Sequence, residues 1–93
     1  MKVKPFTRGT ALKIKYDRSV DAAYIYLAKH IAPGGVARTC PCDPLEVDGE
    51  INLDFDAEGR LIGIEVLGAS QKLLSDLLRQ AEPDPSILNV SRP

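Results

Sequence analysis

The fold class this sequence predicts is α+β: an antiparallel β-meander of four to five strands followed by one C-terminal amphipathic helix. Three observations carry that expectation. Apolar and polar residues alternate with period two over 12–16, 50–56 and 60–67, the mark of half-buried strands, and 22–28 is a short strand-length run apolar on both faces. Turn-forming residues separate these runs, among them Asp17, Pro33-Gly34-Gly35, Asp48-Gly49 and Gly59. From Ser70 the period lengthens, and Leu73, Leu74, Leu77 and Leu78 fall on one helical stripe opposed by Lys72, Ser75, Asp76 and Arg79. Strands first and a helix last define a segregated α+β chain. Residues 1–10 read as a loose leader, 11–82 as a single domain and 83–93 as a tail.

The elements follow in order. Leu12, Ile14 and Tyr16 alternate with Lys13 and Lys15 in the first strand. In the second, Ala23, Ile25 and Leu27 take one face and Tyr24 and Tyr26 the other, which suits a strand covered on both sides. A weaker strand runs through Val36 and Arg38 to Thr39, ahead of Cys40-Pro41-Cys42-Asp43-Pro44, whose prolines remove ladder donors. Ile51, Leu53 and Phe55 point inward in the next strand, with Asn52, Asp54 and Asp56 outward. Gly59 supplies the turn at positive φ. The returning strand places Ile62, Ile64 and Val66 inward, Gly63 and Glu65 outward, with Leu61 and Leu67 as apolar additions. Ser70 is the expected helix N-cap. Pro83 and Pro85 end the helix, and Ile87, Leu88 and Val90 equip the tail to dock.

Composition excludes several functions. A net charge of −1 gives no general attraction to nucleic acid or anionic membrane. The charges are segregated: Lys2, Lys4, Arg8, Lys13, Lys15 and Arg18 begin the chain, and eight acids from Asp43 to Glu65 fill its middle. Strands from the two halves lying together would neutralise them. No apolar run reaches the ~20 residues of a membrane span, and the N-terminus has no apolar core of a signal peptide. The two cysteines are no disulfide framework. The expected setting is cytoplasmic, with no nucleic acid or membrane partner and no cofactor.

Candidate sites are few. The stretch from Asp54 to Glu65 has the spacing of a calcium loop, with acids at its first, third and fifth positions, Gly at the sixth and Glu at the twelfth. Its flanks alternate with period two, so the hairpin reading prevails. The outward row Asp54, Asp56 and Glu65 stays a candidate cation site. Cys40 and Cys42 supply half of a tetrahedral zinc site, with His30 and Asp43 as the evident supplements; as two free surface thiols they need no metal. His30, the single histidine, precedes a Pro-Gly-Gly loop, and no catalytic residue is assigned. There is no phosphate-binding glycine motif. One helix covers one face of a sheet, which leaves Tyr24, Tyr26, Leu61 and Leu67 as the expected interface of a homodimer. The reading is thus a non-enzymatic protein-interaction module, with a small metal- or ligand-binding domain as the alternative.

Two groups of residues together resemble a known family. Tyr16-Asp17 with Asp21-Ala22-Ala23-Tyr24-Ile25-Tyr26-Leu27 is the first. The second is Ile51-Asn52-Leu53-Asp54-Phe55-Asp56, Gly59-Arg60, Ile62-Gly63-Ile64-Glu65-Val66-Leu67 and Ala69-Ser70. They are similar to domain of unknown function 2283, a family of small prokaryotic proteins, over roughly residues 13–78. The Cys40 to Pro44 segment, the leader and the tail depart from its pattern. The resemblance implies a compact β-sheet with a C-terminal helix and no activity. It also implies a small protein partner, since family members look like partner proteins of toxin–antitoxin-type gene pairs.

Overall fold

A computed structural model describes residues 12–42 and 50–84. The leader, the Asp48-Gly49 turn and the tail beyond Asp84 lie outside the described residues. Six strands and two short helices follow in the order β1 (Lys13–Asp17), β2 (Ala22–Tyr26), β3 (Arg38–Cys42), β4 (Ile51–Phe55), β5 (Leu61–Leu67), α1 (Ala69–Lys72), α2 (Ser75–Gln80) and β6 (Glu82–Pro83). The fold is α+β with a strand-rich sheet.

The strands form one sheet in the order β3-β4-β5-β2-β1-β6. All neighbours are antiparallel except β1 and β6, which pair in parallel through Lys15↔Glu82 and Tyr16↔Pro83. A simple meander is therefore replaced by a hairpin, β1–β2, docked on a three-stranded unit, β3–β4–β5. The seam is β2 against β5, with Ala23↔Val66 and Tyr24↔Glu65 among its register pairs. Pro41 explains why β3 cannot take the central place beside β2. It donates no ladder hydrogen bond and belongs on an edge. Strand β2 is buried on both faces over Ala22, Ala23 and Tyr24.

The sheet has two unlike faces. One carries Tyr16, Ala23, Ile51, Ile64 and Val66, with Ala69, Leu73 and Leu78 of the helical segment packed on them. The other carries Ala22, Tyr24, Tyr26 and Leu67, with Ile31 of the β2–β3 connection packed against them. That connection crosses from the middle of the sheet to its far edge, and its Val36 is buried. The face bearing Asn52, Asp54, Gly63 and Glu65 is therefore covered, and the outward assignment of those residues is corrected: all four are buried.

The single C-terminal helix divides in two. Leu73 and Leu74 are extended, with ψ of 150° and 140°. A helix of this length is marginal in water, so packing decides its shape. The break lets Leu73 and Leu78 both reach the Ala23–Val66 cluster while Leu74 turns out to solvent, 78% exposed. It also returns the chain to the open edge of β1, where the Asp84 amide donates to the Tyr16 carbonyl. Two strands, β5 and β2, lie between the basic β1 and the acidic β4. Lys13 and Lys15 instead lie 4.6 and 5.8 Å from the Tyr26 ring centroid, and Lys15 pairs with Asp84 at 3.5 Å.

Candidate functional site

The covered face is polar where a sheet of this size is usually apolar, and its polar groups bond to one another. The fully buried Tyr24 hydroxyl donates to Asp54 Oδ2 at 2.6 Å, and the Thr39 hydroxyl donates to Asp54 Oδ1 at 2.6 Å. Asn52 Nδ2 donates to Glu65 Oε1 at 2.8 Å, across a register pair. Alternation places these residues on one side of β2, β3, β4 and β5. A charge taken from water is tolerated when its lone pairs are satisfied. The Tyr24 ring lies directly over Gly63: a Cβ there would stand 2.0 Å from its hydroxyl oxygen and 2.5 Å from Cζ. Gly63 therefore keeps room for the aromatic ring that reaches Asp54.

A second polar cluster joins the β1–β2 turn to α1. Asp21 sits at φ 54°, in the left-handed region that Asp tolerates better than most residues. Its Oδ1 accepts from the Tyr16 hydroxyl at 2.6 Å and from the Ser70 amide at 2.9 Å, and its Oδ2 accepts from the Ser70 hydroxyl at 2.7 Å. Its carbonyl accepts from the Ala69 amide at 2.9 Å. Ser70 is thus not the N-cap; a carboxylate 49 residues earlier caps the helix across the fold. Hydrogen bonding from Tyr16, then from Ser70, holds the Asp21 carboxyl below its ordinary range. The same bond, then burial, then the charge of Asp21, pushes the Tyr16 phenol up. Asp17 closes the turn by accepting from the Ser19 amide and hydroxyl.

The acids of the calcium-like spacing do not converge. Asp54 and Glu65 are inside, held by Tyr24, Thr39 and Asn52. Asp56 belongs to its own turn: Oδ1 accepts from the Glu58 and Arg60 amides and Oδ2 from Arg60 Nε. The Arg60 amide, and then its guanidinium, hold the Asp56 carboxyl below its usual range. Gly59, at φ 81°, makes the turn. Among the described residues no three His, Cys, Asp or Glu side chains gather to hold a metal. Millimolar calcium is accordingly expected to leave the melting temperature unchanged; a rise in differential scanning fluorimetry would mean that the acids can rearrange.

The predicted interface residues separate. Tyr24 is fully buried within the chain and presents nothing to a partner, which corrects its assignment to an exposed face. Tyr26 and Leu67 are half-buried on the same side, and Leu61 is exposed near the Gly59 turn. The sheet's unfilled apolar surface is on the helix side. Ile14, Ile25, Ile64, Leu53 and Cys40 are register neighbours in β1, β2, β5, β4 and β3, so they form one row across the sheet. All five are half-buried. The row beside it, Tyr16, Ala23, Val66 and Ile51, is the one that α1 and α2 cover. Period-two alternation marks these residues as inward but does not show that, of this outer row, only Ile64 joins the cluster packed under the helices. An open cleft of about 480 Å³ between the β1–β2 turn and α2 is lined by Tyr16, Arg18, Arg79 and Asp84 among others. Its lining includes neither His nor Cys, and its Ser19 hydroxyl is donated to Asp17.

A six-stranded α+β domain with an internal polar network and an aliphatic outer row is the class these features define. Residues 13–70 match the family model described as Protein of unknown function (DUF2283), and the chain belongs to that family. No curated protein and no solved structure matches the chain. The residues that carry the family resemblance include members of both polar clusters: Tyr16, Asp17, Asp21 and Ser70 in one, Tyr24, Asn52, Asp54, Gly63 and Glu65 in the other.

Proposed function

We propose that this domain is a non-enzymatic interaction module that completes its core by pairing with a second copy of itself, helix side to helix side. The observation that carries this reading is the half-exposed row Ile14–Ile25–Ile64–Leu53 beside a very small core. Among the described residues only Ala22, Ala23, Tyr24, Val36, Val66 and Ala69 are buried hydrophobics. Three of those six are alanines, which contribute little when a buried Val or Leu contributes roughly 1.5–3 kcal/mol. A chain of this size is marginal on its own. The row is uncharged, so a two-fold axis can set it against itself without like-charge repulsion.

Covering the remaining half of each Ile or Leu gains roughly 1 kcal/mol, and two copies double the count. That sum is comparable to the lower range of association costs, about 4–15 kcal/mol. The surplus is about 4 kcal/mol at most, so a weak dimer of millimolar strength is expected. Sedimentation equilibrium should report a rising share of twice the chain mass as the concentration approaches about 1 mM. Ile25→Glu should give a monomer of lower stability, and Leu61→Glu, on the other side, should remain dimeric. A monomeric parent at those concentrations would defeat the reading. The toxin-type partner that the family resemblance implies would compete for the same row. Co-purification with the product of the neighbouring gene, tested with Ile25→Glu, addresses that arm.

A further inference from the structure

The geometry points to a two-coordinate site for a soft monovalent cation, copper(I), at Cys40 and Cys42. Both thiols are free, Cys42 exposed and Cys40 half-buried. They occupy alternate positions of the edge strand β3 and pair in register with Leu53 and Ile51, so both project from the helix side of the sheet. Pro41 between them has a fixed φ and biases Cys40 toward extended backbone. The spacing is set before any ligand arrives.

That spacing selects the ligand class. Same-face residues two apart in a strand carry Cβ atoms roughly 6.5 Å apart, whereas a disulfide needs about 3.5–4.5 Å. The pair therefore cannot close on itself without bending β3. A linear sulfur–metal–sulfur bridge is longer. Metal–thiolate bonds of about 2.3 Å place the sulfurs about 4.6 Å apart, reached when each leans about 1 Å toward the other. Tetrahedral zinc needs two further donors, and no third His, Cys, Asp or Glu joins the pair among the described residues. Thiolates without harder donors favour copper(I). Leu53 and Ile51 provide an apolar floor beside the sulfurs. Arg38, two residues before Cys40 on the same face, offers a positive charge to the anionic complex. On binding, both thiols lose their protons to solvent and two sulfur–copper bonds form, with no change of oxidation state.

The test is an anaerobic copper(I) titration of the reduced full chain against the chromophoric competitor bicinchoninate. One copper per chain should be withheld from the competitor, with the oligomer mass unchanged by the metal. Cys42→Ser, at an exposed position that leaves the fold intact, should lose that copper, as should Cys40→Ser. Retention of the copper by Cys42→Ser, or no capture by the parent beyond that of the double variant, would overturn the proposal. So would binding of one zinc per two chains, which would reveal pooled thiolates from two copies instead.

Discussion

Gly63→Ala is expected to remove most of the protein's stability. The new methyl group would stand 2.0 Å from the Tyr24 hydroxyl oxygen and within 2.8 Å of two ring carbons. Tyr24 is fully buried and its hydroxyl is held by Asp54 at 2.6 Å, so the ring cannot swing aside without breaking that bond. Overpacking alone costs about 1–3 kcal/mol. A lost hydrogen bond to a buried carboxylate adds roughly 1.5–3 kcal/mol. Their sum, about 4 kcal/mol, approaches the whole stability of a small domain, ~5 kcal/mol at the low end. Urea denaturation checks this, and a double-mutant cycle isolates the cause. Tyr24→Ala removes the ring, so adding Gly63→Ala to it should cost less than about 0.5 kcal/mol, the tolerance of independent sites. A single Gly63→Ala variant as stable as the parent would show that the ring does not occupy that position.

Much of this arrangement is legible in the sequence, and the part that is not has a definite physical cause. The strands through Ile14, Ile25, Leu53 and Ile64 were visible because alternation reports local backbone geometry. So was the Gly59 turn, whose positive φ glycine accommodates readily. The covered side of the β4–β5 hairpin was misjudged because alternation gives a period and not a layer. Asn52, Asp54 and Glu65 looked like a solvent row. They are inside because the β2–β3 connection, with Ile31 and Val36, crosses over them and Tyr24 and Thr39 satisfy Asp54. A contact between residues 30 positions apart leaves no periodic trace. The leucine stripe failed for the opposite reason: Leu73 and Leu74 share a helical face in sequence, but tertiary packing claims only Leu73.

Asp21→Ala should cost about 3 kcal/mol, because one carboxylate does three jobs. It accepts from the Tyr16 hydroxyl, the Ser70 amide and the Ser70 hydroxyl, tying β1 and α1 to the β1–β2 turn. It also occupies φ 54°, where Ala is strained by roughly 1 kcal/mol or more. Helix capping alone is worth ~1 kcal/mol. Asp21→Asn separates geometry from charge: it keeps the backbone preference and an acceptor oxygen, and should lose only about 1 kcal/mol. The pH dependence tests the same cluster. The folded carboxyl lies below its unfolded value, near ~3.9, because Tyr16 and then Ser70 donate to it. Its contribution is therefore complete above that unfolded value and is lost as pH falls through the depressed folded one. Tyr16 has the opposite sign. Its phenol is raised by the Asp21 bond, then by burial, so its contribution is complete below ~10 and is lost as pH rises through the raised value. Tyr16→Phe should flatten the alkaline limb and leave an acid limb from Ser70. Asp21→Asn should remove this carboxyl's share of the acid limb and weaken the alkaline limb, since it takes away the titrating group and the charge that raises Tyr16. An unchanged acid limb in Asp21→Asn, measured by urea midpoints from pH 3 to pH 11, would place the linkage on another carboxylate.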